Sequence, residues 1–267
     1  MSLTSPSSEL ALGREFPPHQ FKNIGELKHL VSEKIVRLDQ YEEDQYLSFC
    51  NVSPEAFHEI EESREDHSRY TYFPDIQTLV IKLTTTASEK WHRSLGTRIF
   101  LKVTSDMGMG YDEFMPIAAS TVVGQGSSSK EGDSGWTNLE VRSGAADWPG
   151  LVIQAGVSRS GAGYEGECLA CLRADARWLL EHSQGQVNIV LLLWIEPASK
   201  KVIIEKWISG PQLTSSRFNV LRSAKPASIK TPPRLTLPVL HWFLSSMSGS
   251  CMSGPGLCSL VCKLQGV

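Results

Sequence analysis

The chain has few long apolar segments and no acidic residues in its last quarter. Its most apolar run, residues 187–195, is about the length of a strand, far short of the roughly 20 residues needed to span a bilayer. The N-terminus carries neither the basic nor the apolar region that is typical of a secretory signal. We therefore expect an intracellular protein, nuclear or cytoplasmic, that has no membrane partner.

Charge is divided unevenly along the 267 residues. The first 205 carry 29 acidic and 19 basic residues, a net charge of −10, whereas residues 206–267 carry 7 basic residues and no acid. An acidic body disfavours strong non-specific DNA binding by that region alone. The basic segment is open to two interpretations: an extension that binds nucleic acid, or sequence that was never selected to fold.

The composition is that of an ordinary globular protein, with 41% hydrophobic and 21% charged residues. We expect residues 1–20, rich in Ser and Pro, to be disordered, a folded domain over 21–207, and an irregular basic tail over 208–267. The periodicity of apolar residues predicts helices over 24–49, 87–103 and 169–183, and strands over 78–83, 114–123, 150–157, 187–195 and 202–207. This order predicts an α/β (α+β) fold in which helices flank a mixed central sheet.

Two motifs suggest other cofactors. Residues 161–166 match the G-x-G-x-x-G pattern of dinucleotide-binding loops, but Glu165 would place a carboxylate beside the pyrophosphate, so we favour a flexible glycine loop. Cys168 and Cys171, with Cys258 and Cys262, have spacings that a zinc site can use. The first pair falls in an apolar helical pattern, where small buried thiols fit the core equally well.

The constellation with the most chemical content involves Asp133 and Gln154. Asp133 lies in a polar turn, and about twenty residues later Gln154 is the one polar side chain within a strand of apolar residues. A buried strand tolerates a polar side chain only when a partner satisfies it. An acid before a hairpin, followed by a polar or acidic position in the next strand, is the pattern of a divalent-metal hydrolase site.

Several segments together resemble one superfamily. They are TLVIKLTTTASEKWH, SSSKEGDSGW, WPGLVIQAGVS, LRADARWLLEHSQGQVNIVLLLWI and IIEKW. In this combination the chain resembles the restriction-endonuclease-like PD-(D/E)xK superfamily, and most closely a group of fungal proteins that carry this domain. The resemblance extends over about residues 60–207. It implies a restriction-endonuclease-like core and Mg²⁺-dependent hydrolysis of phosphodiester bonds in DNA.

The resemblance also assigns residues to the site. Asp133 matches the first metal-binding Asp, and Gln154 stands where the second acid is expected. Gly156 stands where the superfamily motif has its lysine, so we expect Lys130 to replace that lysine in space and Glu89 to supply a further carboxylate. The amide at position 154 removes one negative charge, and binding of Mg²⁺ should therefore be weak.

Three functions remain open at this point. The first is a metal-dependent nuclease that uses Asp133, Gln154 and Lys130 in catalysis and Asp133, Glu89 and Gln154 as metal ligands. The second is a catalytically dead domain of the same fold that binds nucleic acid or protein. The third, which we disfavour, is a dinucleotide-dependent enzyme that uses residues 161–166.

Overall fold

The structure, a computed structural model, describes most of the chain up to Leu221. The described residues are 6–11, 16–39, 45–64, 68–117, 119, 121–144, 147–158, 167–196, 201–208 and 214–221. This part of the chain is a mixed α/β fold with two mixed sheets flanked by helices, which confirms the predicted fold class. The motif at 161–166 and most of the predicted tail lie outside the described residues.

The helices of the described part are α1 (Pro6–Leu10), α2 (Ile24–Asp39), α3 (Pro54–Glu62), α4 (Thr86–Leu101) and α5 (Glu167–His182). Its strands are β1 (His19–Gln20), β2 (Tyr46–Cys50), β3 (Ser68–Phe73), β4 (Thr78–Leu83), β5 (Met115–Ile117), β6 (Thr121–Val123), β7 (Ser129–Glu131), β8 (Ser134–Thr137), β9 (Leu151–Val157), β10 (Ile189–Glu196), β11 (Lys201–Ile208) and β12 (Thr214–Leu221). The first sheet has the order β1-β2-β4-β3-β7-β6, and the second has the order β12-β11-β10-β9-β8-β5.

The second sheet is organised around the parallel pair β9 and β10, which α5 connects as a crossover helix. Both strands are almost wholly buried and apolar, as expected for strands that are covered on both faces. Side chains of β9 alternate between two apolar clusters. Leu151 and Ile153 pack with α4 on one face, and Val152 packs with α5 on the other.

The first sheet shows the same alternation along β4. Leu79 and Ile81 join an apolar cluster with α2 and α3, whereas Val80 faces the cluster that contains α5. Because side chains of a strand alternate, Lys82 lies on the same face as Val80, toward the second sheet. A buried lysine at this position requires a partner from that side.

The chain passes from the first sheet to the second between β7 and β8, through Gly132 and Asp133. A Cβ atom on residue 132 would lie 2.9 Å from the Cγ1 atom of Val152 in β9, closer than real contacts allow. Glycine therefore lets this connection lie directly against β9. This close approach places Asp133 beside the strand that carries Gln154.

Two predicted elements differ clearly from the structure. The predicted helix over 24–49 ends at Asp39, and Tyr46–Cys50 is a strand because it pairs with β4. The predicted strand over 114–123 is two short strands, β5 and β6, that belong to different sheets. The described residues also include α1 and β1 within 1–20, and β12 within 208–267.

Candidate functional site

Asp133 is buried between the two sheets, with its side chain 2% exposed. Its Oδ2 atom accepts a hydrogen bond from the backbone N–H of Ala155 at 2.7 Å and another from Lys82 Nζ at 2.6 Å. Burial by itself would raise the pKa of this carboxyl group. The Lys82 ammonium, His92 and the two hydrogen bonds together outweigh that effect and hold the pKa of Asp133 below its usual value. Asp133 is therefore a buried carboxylate, ionised near neutral pH.

Gln154 lies next to this carboxylate on β9 and is fully buried. Its Oε1 atom accepts a hydrogen bond from Lys82 Nζ at 2.8 Å, and its Nε2 atom donates to the backbone carbonyl of Glu131 at 3.4 Å. The Lys82 ammonium thus bridges Asp133 and Gln154. Sequence reasoning placed these two side chains in one site, and the structure brings both to the same ammonium group.

Lys82 was not among the residues singled out from the sequence. Its side chain is 5% exposed and contributes the cation of the site from β4, on the sheet opposite β9. One signal was available: Lys82 is the only charged residue in the apolar strand TLVIKL, and a buried charge needs a counter-charge. Nothing in the local pattern said which acid that would be.

The structure does not bring Lys130 to Asp133. Lys130 lies in β7 opposite Thr71 of β3, and its ammonium donates to Thr71 Oγ1 at 2.8 Å and to Asp175 Oδ1 at 2.5 Å. Tyr46 donates its hydroxyl to the other oxygen of Asp175 at 3.0 Å. Lys130 therefore belongs to a second buried ion pair that ties the first sheet to α5. The ammonium beside Asp133 and Gln154 comes from Lys82 instead.

Glu89 lies in the first turn of α4 and is only half-buried. Its charge is close enough to favour the protonated form of His92, but none of the hydrogen bonds or ion pairs found in the described residues joins it to Asp133. Asp133 and Gln154 share the Lys82 ammonium, whereas Glu89 is linked to Asp133 within the described residues only through the effect of both charges on His92.

Two further groups approach Asp133. Arg69 of β3 places its Nε atom 3.8 Å from Asp133 Oδ1, and His92 of α4 is buried with 3% exposure. Burial lowers the pKa of His92 even though the carboxylate of Asp133 raises it, so the imidazole is neutral near pH 7. The Nδ1 atom of His92 and the Oδ1 atom of Asp133 have no hydrogen-bond partner within the described part of the chain.

The charges at this site do not fit a divalent metal ion. Two cations, Lys82 and Arg69, face the single carboxylate of Asp133, and Gln154 supplies a neutral amide. Mg²⁺ prefers carboxylate and other oxygen ligands. Across the described residues, no group of three or more His, Cys, Asp or Glu side chains is arranged to hold a metal. For the zinc pattern, Cys258 and Cys262 lie outside the described residues, and Cys171 is a buried thiol in α5.

None of the helices in the described ranges is both long and apolar enough to cross a membrane. Comparison with known proteins finds no matching family model and no curated protein with a significant match. The resemblance to the PD-(D/E)xK superfamily therefore rests on the motifs quoted above.

Proposed function

We propose that this protein is a nuclease-like module that binds nucleic acid without cleaving it. The observation that carries the proposal is the Lys82 ammonium, which donates to both Asp133 Oδ2 and Gln154 Oε1. These are the two positions at which the resemblance to the PD-(D/E)xK superfamily expects the acidic metal ligands. The Lys82 ammonium lies between them, and at position 154 an amide stands in place of the second acid.

Electrostatics explains why such a site would no longer recruit Mg²⁺. Two like unit charges 4 Å apart repel by about 4 kcal/mol at an effective dielectric constant of 20, and a divalent ion doubles this. Lys82 and Arg69 both lie next to the carboxylate that a metal would need. The one buried carboxylate of the cluster already has two cationic neighbours, so a divalent cation would be repelled at this position.

The proposal is tested by measuring cleavage and binding on the same full-length protein. We expect no cleavage of single- or double-stranded DNA or RNA with Mg²⁺ or Mn²⁺, together with binding of a fluorescent oligonucleotide. The Gln154→Glu variant restores the second carboxylate, and we expect it to bind Mg²⁺ more tightly in calorimetric titration. The matched control is Gln154→Glu combined with Asp133→Asn, which returns the site to one carboxylate and should lose that gain.

One observation favours a second candidate, a metal-dependent nuclease with residual activity. Asp133 is kept ionised, and its Oδ1 atom has no hydrogen-bond partner among the described residues. The assay above separates the two functions. Cleavage by the wild-type protein that disappears in Asp133→Asn would establish the nuclease and overturn the non-cleaving module. Absence of both cleavage and nucleic-acid binding would overturn both.

A further inference from the structure

We propose that the outer face of α4 is the surface that contacts the phosphate backbone of a nucleic acid. The inference rests on the proposed function and adds the location of binding. Lys90 and Arg93 are exposed on this helix, and Arg98 is half-exposed two turns further along. At 3.6 residues per turn, these three side chains lie on the side of α4 that faces away from the core.

The basic residues of this face are not held in ion pairs with other described residues. None of the three makes a hydrogen bond or an ion pair with another residue in the described part of the chain. Two other exposed or half-exposed lysines are matched by an acid one turn away. Lys22 pairs with Glu26 at the start of α2, and Lys102 beyond the end of α4 pairs with Asp106. The outer face of α4 is thus positive within a region whose net charge is negative.

The one acid of α4, Glu89, lies one turn before Arg93 and offsets only one of the three positive charges. It lies in the first turn, where a carboxylate interacts favourably with the helix dipole, and its charge acts on His92. Hydroxyl groups accompany the basic residues, because Ser94 and Thr97 lie between Arg93 and Arg98 and are at least partly exposed. Lys, Arg, Ser and Thr are among the side chains that donate hydrogen bonds to phosphate oxygens in protein–DNA complexes.

Packing holds the face in a fixed position. Trp91, Leu95 and Ile99 on the opposite side of α4 are buried in the apolar cluster that includes β9 and β10. The distance from Lys90 to Arg98 along the helix axis is about 12 Å, since each residue adds about 1.5 Å. A rigid array of this length can contact several successive phosphates. His92 lies on the buried side of the same helix, toward Asp133, so α4 separates the proposed surface from the buried cluster.

The test uses the full-length chain and a fluorescent oligonucleotide of about 20 nucleotides, single- or double-stranded, at several salt concentrations. The variant is Lys90→Gln, Arg93→Gln and Arg98→Gln combined. Each lost phosphate contact should reduce the slope of log affinity against log salt by about 0.9 on duplex DNA. If all three residues contact phosphates, raising the salt from 50 to 200 mM should weaken wild-type binding about 40-fold more than it weakens binding of the triple variant.

A matched control removes three positive charges elsewhere. Lys22→Gln, Lys28→Gln and Lys34→Gln combined alter residues at the start of and within α2, where acidic residues are interleaved, and should leave the salt slope nearly unchanged. Suppose that the wild-type chain binds and that the two triple variants either lose affinity equally or both keep it. Either result would show that α4 is not the binding surface, while the proposed function would stand. If the wild-type chain binds no nucleic acid, the proposed function fails first. Displacement of the oligonucleotide by polyglutamate at equal charge concentration would identify an acidic polypeptide as the partner and overturn this inference.

Discussion

Replacing Lys82 by Met is the most informative perturbation of the buried cluster. The substitution keeps the length of the side chain and removes the charge that Asp133 and Gln154 share. Lys82 Nζ lies 2.6 Å from Asp133 Oδ2 and 2.8 Å from Gln154 Oε1, and the side chains of the ion pair are 5% and 2% exposed. Removing one partner of a buried ion pair costs about 3–5 kcal/mol of the free energy of unfolding. We expect the upper part of that range, because Gln154 Oε1 loses its donor as well.

The assay is unfolding in urea, followed by circular dichroism, for Lys82→Met, Asp133→Asn and the double variant. Since the same interaction is lost in both single variants, the double variant should be more stable than the sum of their effects predicts, by about 2–3 kcal/mol. Additivity within about 0.5 kcal/mol would refute the coupling of these two side chains, and with it the view that Lys82 is the cation of the site.

The dependence of stability on acidic pH provides an independent check, because Lys82 determines whether the pKa of Asp133 is lowered or raised. In the wild type, the pKa of Asp133 is lowered, so its stabilising contribution is complete above the unfolded-state pKa and is lost as the pH falls through the folded-state pKa. In Lys82→Met, burial without the ammonium should raise the pKa of Asp133. Protonation of Asp133 at acidic pH then removes an unpaired buried charge, so the loss in free energy of unfolding relative to the wild type should become smaller as the pH falls. Lys130→Met is the matched control, since it breaks the other buried pair, with Asp175, and should leave the response of Asp133 unchanged.

Two further outcomes follow from the packing of α4. Burial lowers the pKa of His92, so the free energy of unfolding should fall as the pH drops below about 6.5, by up to about 1.4 kcal/mol per pH unit. Urea titrations at several pH values should show that His92→Asn lacks this pH-dependent fall. A Cβ atom at Gly96 would lie 2.7 Å from the ring of Trp136, so Gly96→Ala should cost about 1–3 kcal/mol and shift the tryptophan fluorescence. An unchanged unfolding midpoint for Gly96→Ala would contradict the close packing of α4 against β8.

Local sequence patterns predicted the central elements closely. The strand over 78–83 is β4, the strand over 150–157 is β9 with one residue fewer, and the helix over 169–183 is α5 within two residues. These segments are long, strongly periodic and bounded by turn residues, so local information suffices. The crossover of β9, α5 and β10 followed from the same patterns, because a helix between two buried apolar strands favours a parallel pair.

Local patterns failed where an element depends on its neighbours. Residues 46–50 continue an apolar spacing that suits a helix, yet they form β2 because β4 offers an unpaired edge. Residues 114–123 form a single apolar, β-branched run that carries no information about which sheet each half joins. The structure assigns β5 to one sheet and β6 to the other.

The sequence by itself placed Asp133 and Gln154 in one site, because an acid before a hairpin and a polar position in the next buried strand form the pattern of a divalent-metal hydrolase. It did not determine which lysine serves them. Lys130 is three residues from Asp133 along the chain but pairs with Asp175, whereas Lys82 is 51 residues away and reaches it at 2.6 Å. Only the tertiary structure decides this. Strand pairing and the alternation of side chains along each strand determine which carboxylate a lysine side chain reaches, and distance along the chain does not determine it.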